Sequence, residues 1–151
     1  MEKDGMEKEK WCEKLIFEGE YLNGDKWNGK RKEYDDYGKI KFEGEYLNGK
    51  RHGKGKEYDD YGKIKFEGEY LNGKMNGKGK EYDYEGKLEF EGEYLNGERH
   101  GKGKEYYYDG RLKFEGEYLN GKRWNGKGKE YDWVGNLIFE GEYLNGNKII
   151  N

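Results

Sequence analysis

Around Phe42 the chain alternates, with Ile40, Phe42, Gly44 and Tyr46 on one side and Lys41, Glu43 and Glu45 on the other. A period of two marks a strand with one apolar and one solvated face. Asn48-Gly49 follows at once, a pair that favours the positive φ angles of a two-residue type I′ hairpin turn. Across that turn Leu47 faces Lys50, Tyr46 faces Arg51, Glu45 faces His52, Gly44 faces Gly53, Glu43 faces Lys54 and Phe42 faces Gly55. Paired glycines then leave bare backbone on which aromatic rings lie flat. A strict continuation would oppose Lys41 to Lys56, so one bulged residue is expected after Gly55, aligning Lys41 with Glu57 and Ile40 with Tyr58. Asp60-Tyr61-Gly62 is predicted to close a second hairpin as a three-residue loop with a left-handed Gly. That loop returns Ile64 opposite Tyr58 and Lys65 opposite Glu57.

The pattern repeats. FEGEYLNG occurs six times, with its Phe at 17, 42, 66, 90, 114 and 139, at spacings of 25, 24, 24, 24 and 25 residues. Repeats of this length stack on their neighbours around a shared core, as in a solenoid. With only about six large apolar groups per repeat, one face of a sheet is supplied and a second layer is not. The predicted fold is all-β, an elongated single-layer antiparallel sheet of stacked β-hairpins. Residues 1–16 form a charged segment with a candidate capping strand, 17–146 the array, and 147–151 a tail or closing strand. In the two longer copies the extra residue is placed in the turn, as Asn23-Gly24-Asp25 and Asn120-Gly121-Lys122. This keeps Gly19 opposite Gly29 and Gly116 opposite Gly126, and sets Trp27 against Tyr21 and Trp124 against Tyr118. One column on the apolar face thus reads Trp27, Arg51, Met75, Arg99, Trp124 while its surroundings stay constant.

Composition sharpens this reading. Charged residues make up 42% of the chain and hydrophobic ones 31%, a balance typical of disorder, yet 17% are aromatic and Tyr alone supplies 16. The 30 basic and 33 acidic side chains interleave along the repeats. No basic face for phosphates results, so neither nucleic acid nor membrane lipid is an expected partner. The lone Cys12 excludes an internal disulfide and suits a reducing compartment, and no apolar run has the length of a signal-peptide core or membrane span, so a cytoplasmic location is expected.

The unit from Phe42 to Lys65, FEGEYLNGKRHGKGKEYDDYGKIK, resembles the MORN repeat: an aromatic, Gly two on, another aromatic, NGK, basic residues, GxG and an aromatic strand. Its KEY…GKIK half is similar to a variant branch common in bacteria, some members of which carry an antitoxin label. The resemblance covers residues 17–146, with Arg31 standing where the second Gly of the GxG pair belongs. It implies an open trough that scaffolds other proteins.

Catalytic chemistry finds little footing. Ser and Thr are absent from the chain, and a Cys–His pair would need Cys12. His52 and His100 occupy equivalent places two units apart, roughly 19 Å at about 4.8 Å per strand, too far to share a metal. Glu43 and Glu45 are flanked by Lys54 and Lys56, which makes a solvated charge ladder and not a Ca²⁺ site or glycosidase pair. No enzyme activity, cofactor or metal is expected.

The function expected is a protein–protein interaction scaffold. A concave Tyr/Trp-rich face, comprising Tyr21, Trp27, Tyr46, Arg51, Tyr70, Met75, Tyr94, Arg99, Tyr118 and Trp124, would grip a protein or peptide, since Trp, Tyr and Arg are the usual interface anchors. The alternatives are a membrane-surface, phospholipid-binding adaptor and an antitoxin-like neutralising protein. Tyr143, Ile149 and Ile150 beside the last strand predict a homodimer through the C-terminal edge. Sedimentation of the full chain against one ending at Asn145 should show concentration-dependent dimers only for the former, and identical monomers would refute the edge contact.

Overall fold

The computed structural model describes the backbone of residues 5–11, 14–22, 25–123 and 126–150, with side chains from residue 28 onward within those ranges. All regular structure there is strand: β1 (Gly5–Trp11), β2 (Lys14–Leu22), β3 (Asp25–Tyr34), β4 (Ile40–Leu47), β5 (Lys50–Tyr58), β6 (Ile64–Leu71), β7 (Lys74–Tyr82), β8 (Leu88–Leu95), β9 (Glu98–Tyr106), β10 (Leu112–Leu119), β11 (Lys122–Arg123), β12 (Gly126–Tyr131), β13 (Leu137–Leu144) and β14 (Asn147–Lys148). The chain divides into two units, Met1–Lys74 and Met75–Asn151. In the first, β1 to β6 lie side by side in chain order. In the second, β7 to β10, β12, β13 and β14 do the same, and β11 extends the pairing along β10. Each sheet is open, antiparallel and one layer thick. The expected hairpin array forms, whereas a solenoid coil does not, because the strands pair only sideways.

Local turn chemistry acts as the residue types dictate. Asn48 and Gly49 have φ of 52° and 76°, both positive as a type I′ turn requires, and Leu47 faces Lys50 while Tyr46 faces Arg51. Asn72-Gly73, Asn96-Gly97, Asn120-Gly121 and Asn145-Gly146 repeat the geometry. At the other end Asp59 N–H donates to Lys63 O at 2.8 Å, closing a three-residue loop with Gly62 left-handed, and Ile64 lands opposite Tyr58. The Asp59 carboxylate accepts the Tyr61 and Lys63 amides at 2.9 Å and holds the loop from within.

The bulge lies elsewhere than expected. Gly44 faces Gly55, Glu43 faces Lys56 and Phe42 faces Glu57, so two extra residues of β5 are taken up between Arg51 and Gly55. Gly53 is the left-handed residue, with φ of 71°, and the Glu45 carboxylate folds over it to accept the Lys54 amide at 2.8 Å. Gly53 therefore does not face Gly44. It pairs with Tyr70 on β6, Gly55 pairs with Gly68, and Phe66, not Lys65, opposes Glu57.

The longer copies are corrected too. Leu22 faces Asp25 and Tyr21 faces Lys26, and Leu119 faces Lys122 and Tyr118 faces Arg123, so both turns have two residues, not three. Gly19 does face Gly29, as expected, through a bulge at Glu20/Tyr21. Gly116 sits not by Gly126 but by Gly128, since Phe114 faces Glu130 and Glu115 faces Lys129. At the N-terminal end β1 pairs with β2, Glu9 against Phe17.

The core is a row of rings lying on glycine backbone. Phe42, Phe90 and Phe114 are at most 1% exposed. A Cβ on Gly55 would meet Phe42 Cε2 at 2.7 Å and Tyr70 Cε2 at 3.1 Å, and one on Gly103 would meet Phe90 Cε2 at 2.6 Å and Tyr118 Cε2 at 3.0 Å. Phe42 and Phe90 each contact their own Tyr and that of the next repeat edge-on: Phe42 to Tyr46 at 6.0 Å and Tyr70 at 5.3 Å, Phe90 to Tyr94 at 5.8 Å and Tyr118 at 5.1 Å. Gly103→Ala must displace a buried ring. It should lower stability by about 1–3 kcal/mol in urea unfolding, and a loss below the error of the measurement would refute the ring-on-glycine packing.

Candidate functional site

Because Glu57 faces Phe42, it stands on the aromatic face, not the charged one where Lys41 was to meet it. The same applies to Glu33, opposite Phe42 on the other side, and to Glu81, Glu105 and Glu130. These carboxylates organise the face. In the first unit Arg51 lies flat over Phe42, 3.9 Å from the ring centre, and donates through Nη2 to Glu33 at 2.5 Å and through Nη1 to Glu57 at 3.2 Å. The Tyr46 hydroxyl donates to Glu33 at 2.6 Å and that of Tyr70 to Glu57 at 2.7 Å. In the second unit Arg99 covers Phe90 at 4.0 Å and binds Glu81, and Arg123 covers Phe114 at 4.1 Å and bridges Glu105 at 2.6 Å and Glu130 at 2.8 Å.

The variable column is thereby redrawn. Facing the repeat tyrosines are Lys26, Arg51, Arg99, Arg123 and Lys148. Trp27 is a strand residue next to the Lys26 that takes its expected place. Trp124 lies outside the described residues, as do the side chains of Tyr21 and Trp27. Met75 is half-buried on β7, and its carbonyl accepts the Gly97 amide at 2.8 Å. Lys148 was unremarkable in the sequence, yet it caps Phe139 at 5.1 Å and pairs with Glu130 at 2.5 Å, as an arginine does elsewhere.

Tyr46, Tyr70, Tyr94 and Tyr118 are 3–7% exposed. Their rings are core and their hydroxyls are bonded to glutamates, so the arginines are what this face offers to solvent. Tyr143 is likewise buried, between Phe114 and Phe139, while Ile149 and Ile150 are exposed and the Ile149 amide donates to Glu142 O at 2.9 Å. On the opposite face Lys56 stands between Glu43 and Glu67, and Tyr58 and Tyr106 donate to Glu43 and Glu91, each at 2.5 Å. Lys41 pairs with Asp60 and Asp35 in place of Glu57. Among the described residues no cluster of His, Cys, Asp or Glu has the geometry to hold a metal ion.

Fold and ladder together define a β-hairpin repeat protein, in which one motif supplies strand, turn, ring and charge at each step. The MORN repeat matches three times, at residues 42–63, 66–87 and 90–110, so these three successive units are MORN repeats. No curated protein matches it.

Electrostatics bind the ladder to pH. Burial alone would raise the carboxyl groups of Glu33, Glu105 and Glu130. The hydrogen bonds and charges of their Tyr, Arg and Lys partners prevail and hold all three below the ordinary 4.5. Burial and Glu33 push the Tyr46 hydroxyl up to about 12, and Tyr70, Tyr94 and Tyr118 are raised by burial and by Glu57, Glu81 and Glu105 in turn. Below the ordinary carboxylate value the unfolded chain binds more protons than the folded one, so this stability is complete above it and is lost as pH falls through the folded values. The tyrosines act at the other end: the unfolded chain ionises near the ordinary 10, so stability declines as pH rises from there through about 12 for Tyr46. The urea midpoint should therefore be flat near neutrality and fall on both sides. Glu105→Gln should lower the plateau and soften the acid limb, and an unchanged acid limb would refute the carboxylate's role.

Proposed function

We propose that the chain is a non-enzymatic scaffold that binds protein or peptide on the aromatic face of each unit, with Arg51 in the first and Arg99 and Arg123 in the second as the partner-facing groups. The observation that carries this is the missing second layer. The rings of Phe42, Phe90 and Phe114 are roofed by arginine side chains that keep between 23% and 29% of their surface exposed, beside glutamates that are also part-exposed. Donors and acceptors set side by side over apolar rings suit a polar polypeptide better than a polyanion, and Arg is among the commonest interface anchors. The MORN repeat, a module that is generally non-catalytic and engaged in interactions, agrees with this reading.

The experiment is affinity capture from native cells with the intact chain and with Arg51→Met/Arg99→Met. Methionine is what Met75 supplies at the corresponding place, so apolar cover is retained. The intact chain should recover a partner that the variant, with unchanged circular dichroism, recovers at least about tenfold less well. Equal recovery by both would overturn the assignment of the face.

A further inference from the structure

Within the second unit β8 and β13 carry the same Phe-Glu-Gly-Glu-Tyr-Leu sequence, yet they are covered differently. β9 runs the length of β8, with Glu98 against Leu95, Arg99 against Tyr94, Gly103 against Gly92, Lys104 against Glu91 and Glu105 against Phe90. On the outer side of β13, β14 pairs Lys148 with Tyr143 and Asn147 with Leu144, and the Ile149 amide reaches Glu142 O at 2.9 Å. Among the described residues nothing pairs the outer side of residues 137–141. One residue accounts for the difference. Counted from the Asn-Gly turn, Ile150 stands where Gly101 makes the bulge with φ of 65°. A β-branched side chain strongly disfavours that angle, so the path β9 takes along β8 is closed here, and Ile150 is 79% exposed.

The ring site at this edge is therefore built by half. Phe90 lies on Gly92 and on Gly103 of the covering strand, meets Tyr94 and Tyr118 edge-on and is 0% exposed. Phe139 has the floor of Gly141, where a Cβ would meet its Cζ at 3.0 Å, and the edge of Tyr143 at 5.5 Å, and it is only half-buried. Leu137 and Ile138 beside it are exposed.

The interior of the same unit specifies what completes such a site. Opposite the Phe and Glu of β8 stand Glu105 and Lys104, and opposite those of β10 stand Glu130 and Lys129. The glycine of each strand lies against a second glycine, Gly92 on Gly103 and Gly116 beside Gly128. We propose that the outer edge of β13 receives an extended segment of a partner protein with the sequence Gly-Lys-Glu. It runs antiparallel to β13, with its glycine on Gly141, its lysine facing Glu140 and its glutamate facing Phe139. An unpaired edge supplies backbone hydrogen bonds to such a segment, and the alternate side chains supply selectivity. A second β13 is the poorer occupant, because two-fold pairing about Gly141 opposes Glu140 to Glu142 twice, and like charges directly opposite are destabilising.

The test titrates the full chain into a fluorescent peptide with the sequence of residues 100–107, read by anisotropy. Saturable binding is expected, and the peptides carrying Gly103→Val or Lys104→Glu should each bind roughly tenfold more weakly. In the protein, Glu140→Lys should reverse the preference, binding the Lys104→Glu peptide better than the original, a reversal that misfolding would not produce. The Arg51→Met/Arg99→Met protein should bind the original peptide as the intact chain does, which separates this edge from the arginine-covered rings. No saturable binding, equal binding of the Gly103→Val peptide, or no reversal by Glu140→Lys would each overturn the inference. So would loss of binding in the arginine variant, or sedimentation showing dimers that the peptide does not dissociate.

Discussion

Phe42, Phe66, Phe90 and Phe114 must be buried on a sheet that has no second layer. A ring standing upright from such a sheet would be bathed in water, so it lies down, and it can do so only where the backbone beneath carries no Cβ. Gly44 and Gly55 provide that floor for Phe42, and Gly92 and Gly103 provide it for Phe90. Once the ring is flat its upper face needs cover, and the guanidinium of Arg51 or Arg99 is both flat and cationic, a match for the π-cloud. The arginine brings a charge that needs a partner at that depth, hence Glu33 and Glu57 for Arg51. The tyrosine hydroxyls complete those carboxylates.

The two glycines of the GxG element then have separate duties. Gly53 is required for its backbone angle, since its φ of 71° is one that side chains rarely adopt, and a Cβ there would strike the Glu45 carboxylate at 2.3 Å. Gly55 is required for bareness alone. The first repeat shows what happens when the second duty is not met. Arg31 stands at the place of Gly55, and β2 pairs two residues out of step, setting Gly19 on Gly29 in place of residue 31. On its other side β3 keeps the usual register, with Arg31 against Gly44 and Gly29 against Tyr46. Register in this array is decided by where a ring can lie.

Short-range features were legible in the sequence because neighbours in the chain decide them. Asn48-Gly49 and the loop at Gly62 need nothing beyond their own φ preferences, and the alternation from Ile40 to Tyr46 announces a strand whatever it pairs with. The bulge was not legible in the same way. Opposing Glu43 to Lys54 or to Lys56 satisfies the charge pattern equally well, and only the ring of Phe42, which needs Gly55 beneath it, separates the two. Misplacing the bulge moved Glu57 to the wrong face and hid the ladder. The signal that exposes it is Glu at 33, 57, 81, 105 and 130, always directly before a Tyr and never varied, although a merely solvated position would tolerate change.

Variation among the copies also separates folding from recognition. FEGEYLNG is the same in all six, and a residue that is the same at every step cannot tell a ligand where along the array it sits. Its invariance is explained by the ring, floor, turn and bulge cap that every step needs. Change is concentrated in the strand that follows each Asn-Gly, which holds the column facing the tyrosines, and around the loops, where Asp60-Tyr61, Tyr84-Glu85, Tyr108-Asp109 and Trp133-Val134 alternate in chemistry on one backbone. Any discrimination along the array has to arise in those positions, because they are the places where one repeat differs from the next without disturbing the packing that joins them.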